Sequence, residues 1–103
     1  MLGKEMLIVS DTQEKVNIHN NSDYTARVTH AGNFLSTIPS GNTVEVSVPI
    51  GVVVSLSFPD WDGSLPEPVI LGTSENILLI GSTGFQVKHP MAFSYVDIFL
   101  SWG

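Results

Sequence analysis

Apolar and polar residues alternate with a period of two along most of this chain. In "TVEVSV" (43–48), Val44, Val46 and Val48 fall on one face, with Thr43, Glu45 and Ser47 on the other. "GVVVSLSF" (51–58) repeats the scheme with Val52, Val54, Leu56 and Phe58 inward. Alternation carried by β-branched residues is what a half-buried strand requires. Between the two runs, Val48-Pro49-Ile50-Gly51 places proline second and glycine fourth, which suits a type I turn and predicts a hairpin.

The same signal recurs on both sides. "EKVNIHN" (14–20) turns Val16 and Ile18 one way, and "YTARVTH" (24–30) does so with Tyr24, Ala26 and Val28. Ala31-Gly32-Asn33 and the segment "PSGN" (39–42) read as turns around "FLSTI" (34–38). Met6–Ser10, "ENILLI" (75–80), "FQVKH" (85–89) and "AFSYVDIFLSW" (92–102) read as further strands. No stretch carries the 3, 4, 7 spacing of an amphipathic helix with a cap. Short strands punctuated by Gly, Pro and Asn predict an all-β fold. The expected form is one compact antiparallel β-sandwich over 1–103, Ig-like or jelly-roll-like, of about seven strands.

The span 16–58, "V-x-I-x-N-x-S … I-P-S-G-N-T-V-E-V-S-V-P-I-G-V-V-V", resembles the early strands of Ig-like sandwich modules. The resemblance covers under half of the chain, and the Cys…Trp…Cys hallmark of antibody domains is missing. It implies a fold and no function.

Composition narrows the function classes. The 103 residues carry 43% hydrophobic and 14% charged side chains, a balance that folds rather than stays disordered. With no cysteine there is neither a disulfide framework nor a thiolate metal site. The net charge is −6, and Lys4, Lys15, Arg27 and Lys88 are scattered. Nucleic-acid backbones and anionic membranes both need clustered cations, so neither is an expected partner. Glu5 interrupts the apolar start and Met6–Val9 is too short for a signal peptide, so the chain is expected to be cytoplasmic as made.

Catalytic signatures fail on spacing. "LGTSENI" (71–77) lacks the second glycine context of a nucleophile elbow, and "IGSTGF" (80–85) lacks the lysine of a phosphate loop. His19, His30 and His89 sit at strand faces or ends with no ligand spacing between them. No cofactor, no metal and no enzymatic activity are expected.

Two regions point instead to binding. "FPDWDGSLPEP" (58–68) interrupts the strands with three prolines, three carboxylates and Trp61. Asp60-x-Asp62-Gly63 opens like a calcium loop, but the sixth and twelfth positions are Leu65 and Leu71, so that pattern breaks. Trp61 beside Asp60, Asp62 and Glu67 suits a protein-contact loop or a sugar-stacking platform; the competing reading folds Trp61 back to cap the sandwich. In "MAFSYVDIFLSW" (91–102), Val96, Ile98, Leu100 and Trp102 share one face, while Phe93, Tyr95 and Phe99 share the other. A strand apolar on both faces needs cover on both, which points to a partner interface at Phe93, Tyr95 and Phe99, or to addition onto a partner's sheet edge. Asn20-Asn21-Ser22 matches a glycosylation sequon without a secretory signal to give it meaning.

The expected function is therefore a non-enzymatic structural or assembly protein that contacts itself or a larger assembly. In general character the chain is similar to accessory proteins of virus particles, of the capsid-decoration or tail-associated kind. The alternative is a carbohydrate-binding module or lectin using the Trp61 loop.

Overall fold

A computed structural model describes residues 13–72, 75–81, 83–89 and 94–100. Nine strands are present among them: β1 (Gln13–Asn20), β2 (Ala26–His30), β3 (Asn33–Ile38), β4 (Thr43–Pro49), β5 (Val53–Ser57), β6 (Pro68–Ile70), β7 (Ile77–Leu79), β8 (Gly84–Val87) and β9 (Ser94–Leu100). They form a four-stranded sheet, sheet A, in the order β4-β1-β9-β6, and a five-stranded sheet, sheet B, in the order β3-β2-β5-β8-β7. The molecule is an all-β sandwich with no helix among the described residues, so none there is long and apolar enough to cross a membrane. The expected strand Met6–Ser10, and Phe93 and Trp102 of the last strand, lie outside the described residues.

The inward residues of each sheet meet in one core. Val16, Ile18, Val46, Val48, Val96 and Ile98 come from sheet A; Val28, Ile38, Val54, Leu56, Phe85 and Val87 come from sheet B. Each set obeys the period of two read from the sequence, because alternate Cβ atoms point to opposite faces. Val52 is half-buried against the core, just ahead of β5.

The predicted hairpin of 43–48 with 51–58 does not form. β4 pairs antiparallel with β1 in sheet A, whereas β5 pairs with β2 and β8 in sheet B. The turn instead carries the chain from one sheet to the other. Gly51 adopts φ 83°, and its N–H donates to the Val87 carbonyl at 2.7 Å, fastening the crossing to β8. Alternation is blind to this choice, since strands facing across a core bury the same residues as strands side by side. A true hairpin joins β2 and β3, where Ala31 (φ 52°) and Gly32 (φ 83°) form a two-residue turn. Two successive positive φ values match the right-handed twist of the flanking strands.

Strand β9 is not an edge. It pairs parallel with β1 (Val16 with Ser94 through Asn20 with Ile98) and antiparallel with β6 (Pro68 with Leu100 through Ile70 with Ile98). With β1 along Ser94–Ile98 on one side and β6 along Ile98–Leu100 on the other, it is an interior strand and not the free edge expected for addition to a partner's sheet, so that expectation is corrected. The strand that closes its second side, β6, follows the proline-rich loop and is three residues long, too short for its alternation to be read.

Candidate functional site

The outer face of sheet A carries the C-terminal aromatic residues. Tyr95, Asp97 and Phe99 alternate outward from β9 and are half-buried, while Val96 and Ile98 point into the core. Strand register places Asn17 beside Tyr95, His19 beside Asp97, and Val69 beside Phe99. Cross-strand neighbours of this kind lie within side-chain contact distance. Burial, and then the charge of Asp97, push the Tyr95 phenol above its ordinary range. The Asp97 Oδ1 and Ser94 Oγ atoms are buried without a hydrogen-bond partner.

One feature of this face escaped sequence reasoning. His19 pairs with both Thr43 and Asp97, so a hydroxyl, an imidazole and a carboxylate line up across three strands. His19 Nδ1 and Thr43 Oγ1 are hydrogen-bonded at 2.8 Å in an exposed setting. Nothing in the spacing 19, 43, 97 announces this row; it exists only through pairing. Farther along the face, Lys15 Nζ lies 4.0 Å from Glu45 Oε1, an exposed pair of little energetic weight.

The proline-rich loop closes on itself. Phe58 is buried as its anchor, and the Trp61 N–H donates to the Phe58 carbonyl at 3.0 Å. The Trp61 indole is half-buried against the core, and its Nε1–H donates to the Leu65 carbonyl at 3.2 Å. Asp62 Oδ1 accepts from the Ser64 N–H at 2.9 Å and the Ser64 hydroxyl at 2.7 Å. Those two bonds hold the Asp62 carboxyl below its ordinary range. Asp60 and Glu67 are exposed. Among the described residues no three His, Asp or Glu side chains gather as a metal group, so Asp60, Asp62 and Glu67 do not converge on one cation. Tyr24 lies close enough that burial, then the charges of Asp62 and Asp23, raise its phenol pKa.

At the same end of the sandwich Asn20 forms a buried clasp. It is fully buried; its Nδ2 donates to the carbonyls of Tyr24 (2.6 Å) and Ile38 (2.8 Å). Its Oδ1 accepts from the N–H (3.0 Å) and hydroxyl (2.6 Å) of Ser22. Ser40 Oγ then donates to the Ser22 carbonyl at 2.7 Å, tying the 39–42 turn to the same knot. The sequon asparagine is thus committed to the fold, since both amide hydrogens are spent on backbone carbonyls. Burying an amide is costly unless it is hydrogen-bonded, and here four bonds satisfy it.

The chain is thus an all-β sandwich with an aromatic outer face on one sheet and a Trp61 loop packed at one end. No protein-family model matches it, nor does any curated protein or solved structure.

Proposed function

We propose that this chain is a non-enzymatic structural or assembly module that works through protein–protein contacts across its outer sheet faces. The observation that carries the reading is how its groups are distributed. The concentrated polar side chains at Asn20–Ser22 and Asp62–Ser64 bond to the protein itself, whereas Tyr95 and Phe99 stand only half-buried among the polar residues of sheet A's outer face. Tyr95 and Phe99 on sheet A are the partner-facing residues of this proposal, because aromatic side chains dominate interface energetics. An accessory role on a larger particle, such as a virion, fits an acidic module of this kind.

A second reading has one observation in its favour. Trp61 and Tyr24 sit at one end together with Asp23 and Asp62, a pairing of rings and acceptors that suits a sugar. The Nε1–H of Trp61 is already used within the loop, which leaves only ring stacking for a ligand.

The test is native mass and a glycan screen on wild type, Phe99→Ser and Trp61→Ala, each first checked for a cooperative melt. A defined assembly that Phe99→Ser dissolves supports protein contact through sheet A. Sugar binding by a monomer, abolished by Trp61→Ala, transfers the function to the loop. Robust turnover of any substrate overturns both.

A further inference from the structure

Four strands close the two sheets, β4 and β6 in sheet A and β3 and β7 in sheet B, and each has a side that pairs with no described strand. Such edges recruit other strands unless they are short, bulged, or interrupted by proline or lysine. Three of the four are blunted in this way. β6 and β7 are only three residues long, and β6 opens with Pro68. β3 is bulged: Phe34 pairs with Thr29 and Ser36 with Val28, which leaves Leu35 between them without a partner in the register. β4 has none of these devices. It runs seven residues in unbroken register with β1, carries no lysine, and has its proline only at the last position.

The bonding groups on its open side follow from the pairing. Asn20 donates its N–H to the Asn42 carbonyl and accepts from the Gly41 N–H, whereas the Asn21 N–H donates to the Ile98 carbonyl of β9. Even-numbered β1 residues therefore turn their N–H and C=O groups toward β4, and the bonded pairs are Glu14–Val48, Val16–Val46 and Ile18–Val44. Backbone direction alternates along a strand, so the N–H and C=O groups of Thr43, Glu45 and Ser47 point away from the sheet. The side chains of those three residues are exposed, while Val44, Val46 and Val48 pack toward the core.

We infer that a second copy of the chain adds to this edge, β4 antiparallel to β4, so that the two copies of sheet A become one sheet. The strand is self-complementary in the register that sets Val46 opposite Val46. Glu45 of each copy then faces Ser47 of the other and exchanges both N–H···O bonds with it. Val44 faces Val48, and Thr43 faces Pro49, whose missing N–H falls at the end of the ladder. Charge favours the same register. The copies share a net charge of −6, but Glu45 is the only carboxylate of β4, and Lys15 of β1 lies 4.0 Å from it. Lys15 also pairs with Ser47, so Glu45 of the other copy arrives one strand beyond that small residue, and each lysine stands between two glutamates. The register with Glu45 opposite Glu45 sets like charges face to face and is disfavoured. In strand addition it is main-chain bonds, rather than a broad buried face, that give the affinity. The two-fold axis stands perpendicular to the sheet, so Tyr95 and Phe99 of both copies look the same way. The inference rests on the assembly reading above and doubles the face which that reading uses.

Sedimentation equilibrium from about 10 µM to 1 mM, in about 0.15 M salt, tests it. Wild type should dimerise reversibly. Glu45→Pro removes an outward N–H and no bond to β1, a position where edge strands tolerate proline. It should keep its circular dichroism and lose the dimer. Ser47→Glu sets a carboxylate opposite Glu45 of the other copy, twice in the symmetric dimer, and should weaken it by about tenfold. Adding Glu45→Lys to that variant should restore the wild-type affinity or better. Ser55→Glu, exposed on β5, makes the same change of net charge and should alter the dimer by less than about threefold. If the proline variant loses its fold, the comparison of Ser47→Glu with Ser55→Glu decides alone. A wild type monomeric throughout the range overturns the inference, and leaves Tyr95 and Phe99 free to contact a different protein. Equal weakening by Ser47→Glu and Ser55→Glu overturns it as well. So does a dimer that Phe99→Ser dissolves and folded Glu45→Pro keeps, which moves the self-contact to the face of sheet A.

Discussion

Asn20 Nδ2 donates to the carbonyl of Ile38 at 2.8 Å, a bond from the last residue of β1 in one sheet to the last residue of β3 in the other. Replacing Asn20 by alanine removes the acceptor of the Ser22 N–H and the side-chain donor to the Ile38 carbonyl, while the Ser22 hydroxyl and the Tyr24 carbonyl keep their mutual bond at 3.1 Å. Each lost buried partner costs about 1–3 kcal/mol, so Asn20→Ala should lose at least about 2 kcal/mol in urea unfolding. Asn20→Asp keeps the acceptor, removes both donated bonds and adds a buried charge. It should be no more stable than the alanine variant. Loss of less than about 1 kcal/mol in both would mean the clasp is not structural.

Ala31 holds φ 52° in the β2–β3 turn, a conformation that costs a non-glycine residue about 1 kcal/mol. Ala31→Asn creates the Asn-Gly pair favoured in such turns and should stabilise by about 0.5–1 kcal/mol. In a domain of this size that raises Tm by roughly 2–8 °C, readable by differential scanning calorimetry. An unchanged or lower Tm would contradict the turn assignment.

Gly51 presents the opposite case. A Cβ there meets nothing within 4 Å, yet φ is 83°. The cost of Gly51→Ala should therefore be purely of backbone origin, about 1–2 kcal/mol, and Gly51→Asn should recover part of it. Equal losses for the two variants by chemical denaturation would point to packing rather than conformation.

The two tyrosines give a spectroscopic check. Burial is the larger cause of the raised pKa in both, with the charges of Asp62 and Asp23 added at Tyr24 and that of Asp97 at Tyr95. A raised phenol favours the folded state fully below the unfolded value of about 10, and that contribution is lost as pH rises through the folded value. Phenolate absorbance should thus appear at higher pH in the folded protein than after unfolding. Asp62→Asn should move only the Tyr24 component downward, which Tyr24→Phe identifies.

Asp62 itself has the reverse sign. The Ser64 N–H and hydroxyl lower its pKa, so its contribution is present above the unfolded value of about 3.9 and fades as pH falls through the folded value. Asp62→Asn retains an acceptor for Ser64, so stability near neutrality should barely change. What should flatten is the acid limb, between about pH 4 and pH 2, in urea midpoints taken across that range. A large loss at neutral pH would mean the charge itself holds the loop.

Local pattern revealed the strands but not their partners. Val46, Val48, Val54 and Leu56 are buried as the alternation requires, yet the chain between them crosses from sheet to sheet. Only the register and the Gly51–Val87 bond decide that outcome. Strand β6 was hidden because three residues opening with a buried proline carry no periodicity. Asn20 read as a sequon because its role depends on Tyr24 and Ile38, which approach it only once both sheets exist. In the contact loop, Trp61 was legible as a special residue, but its half-buried packing depends on Phe58 anchoring the turn.

The parallel pairing of β1 with β9 also sets an order of events. β9 fills the gap between β1 and β6, and it is the last described strand to leave the ribosome. Sheet B can assemble from strands already synthesised, while β1 and β4 wait as a pair with one side open. Closing sheet A then requires a contact spanning most of the chain, and such long-range closures fold slowly. Until that moment the nascent protein carries an unsatisfied strand edge beside half of its core, which makes the interval before β9 docks an aggregation-prone one.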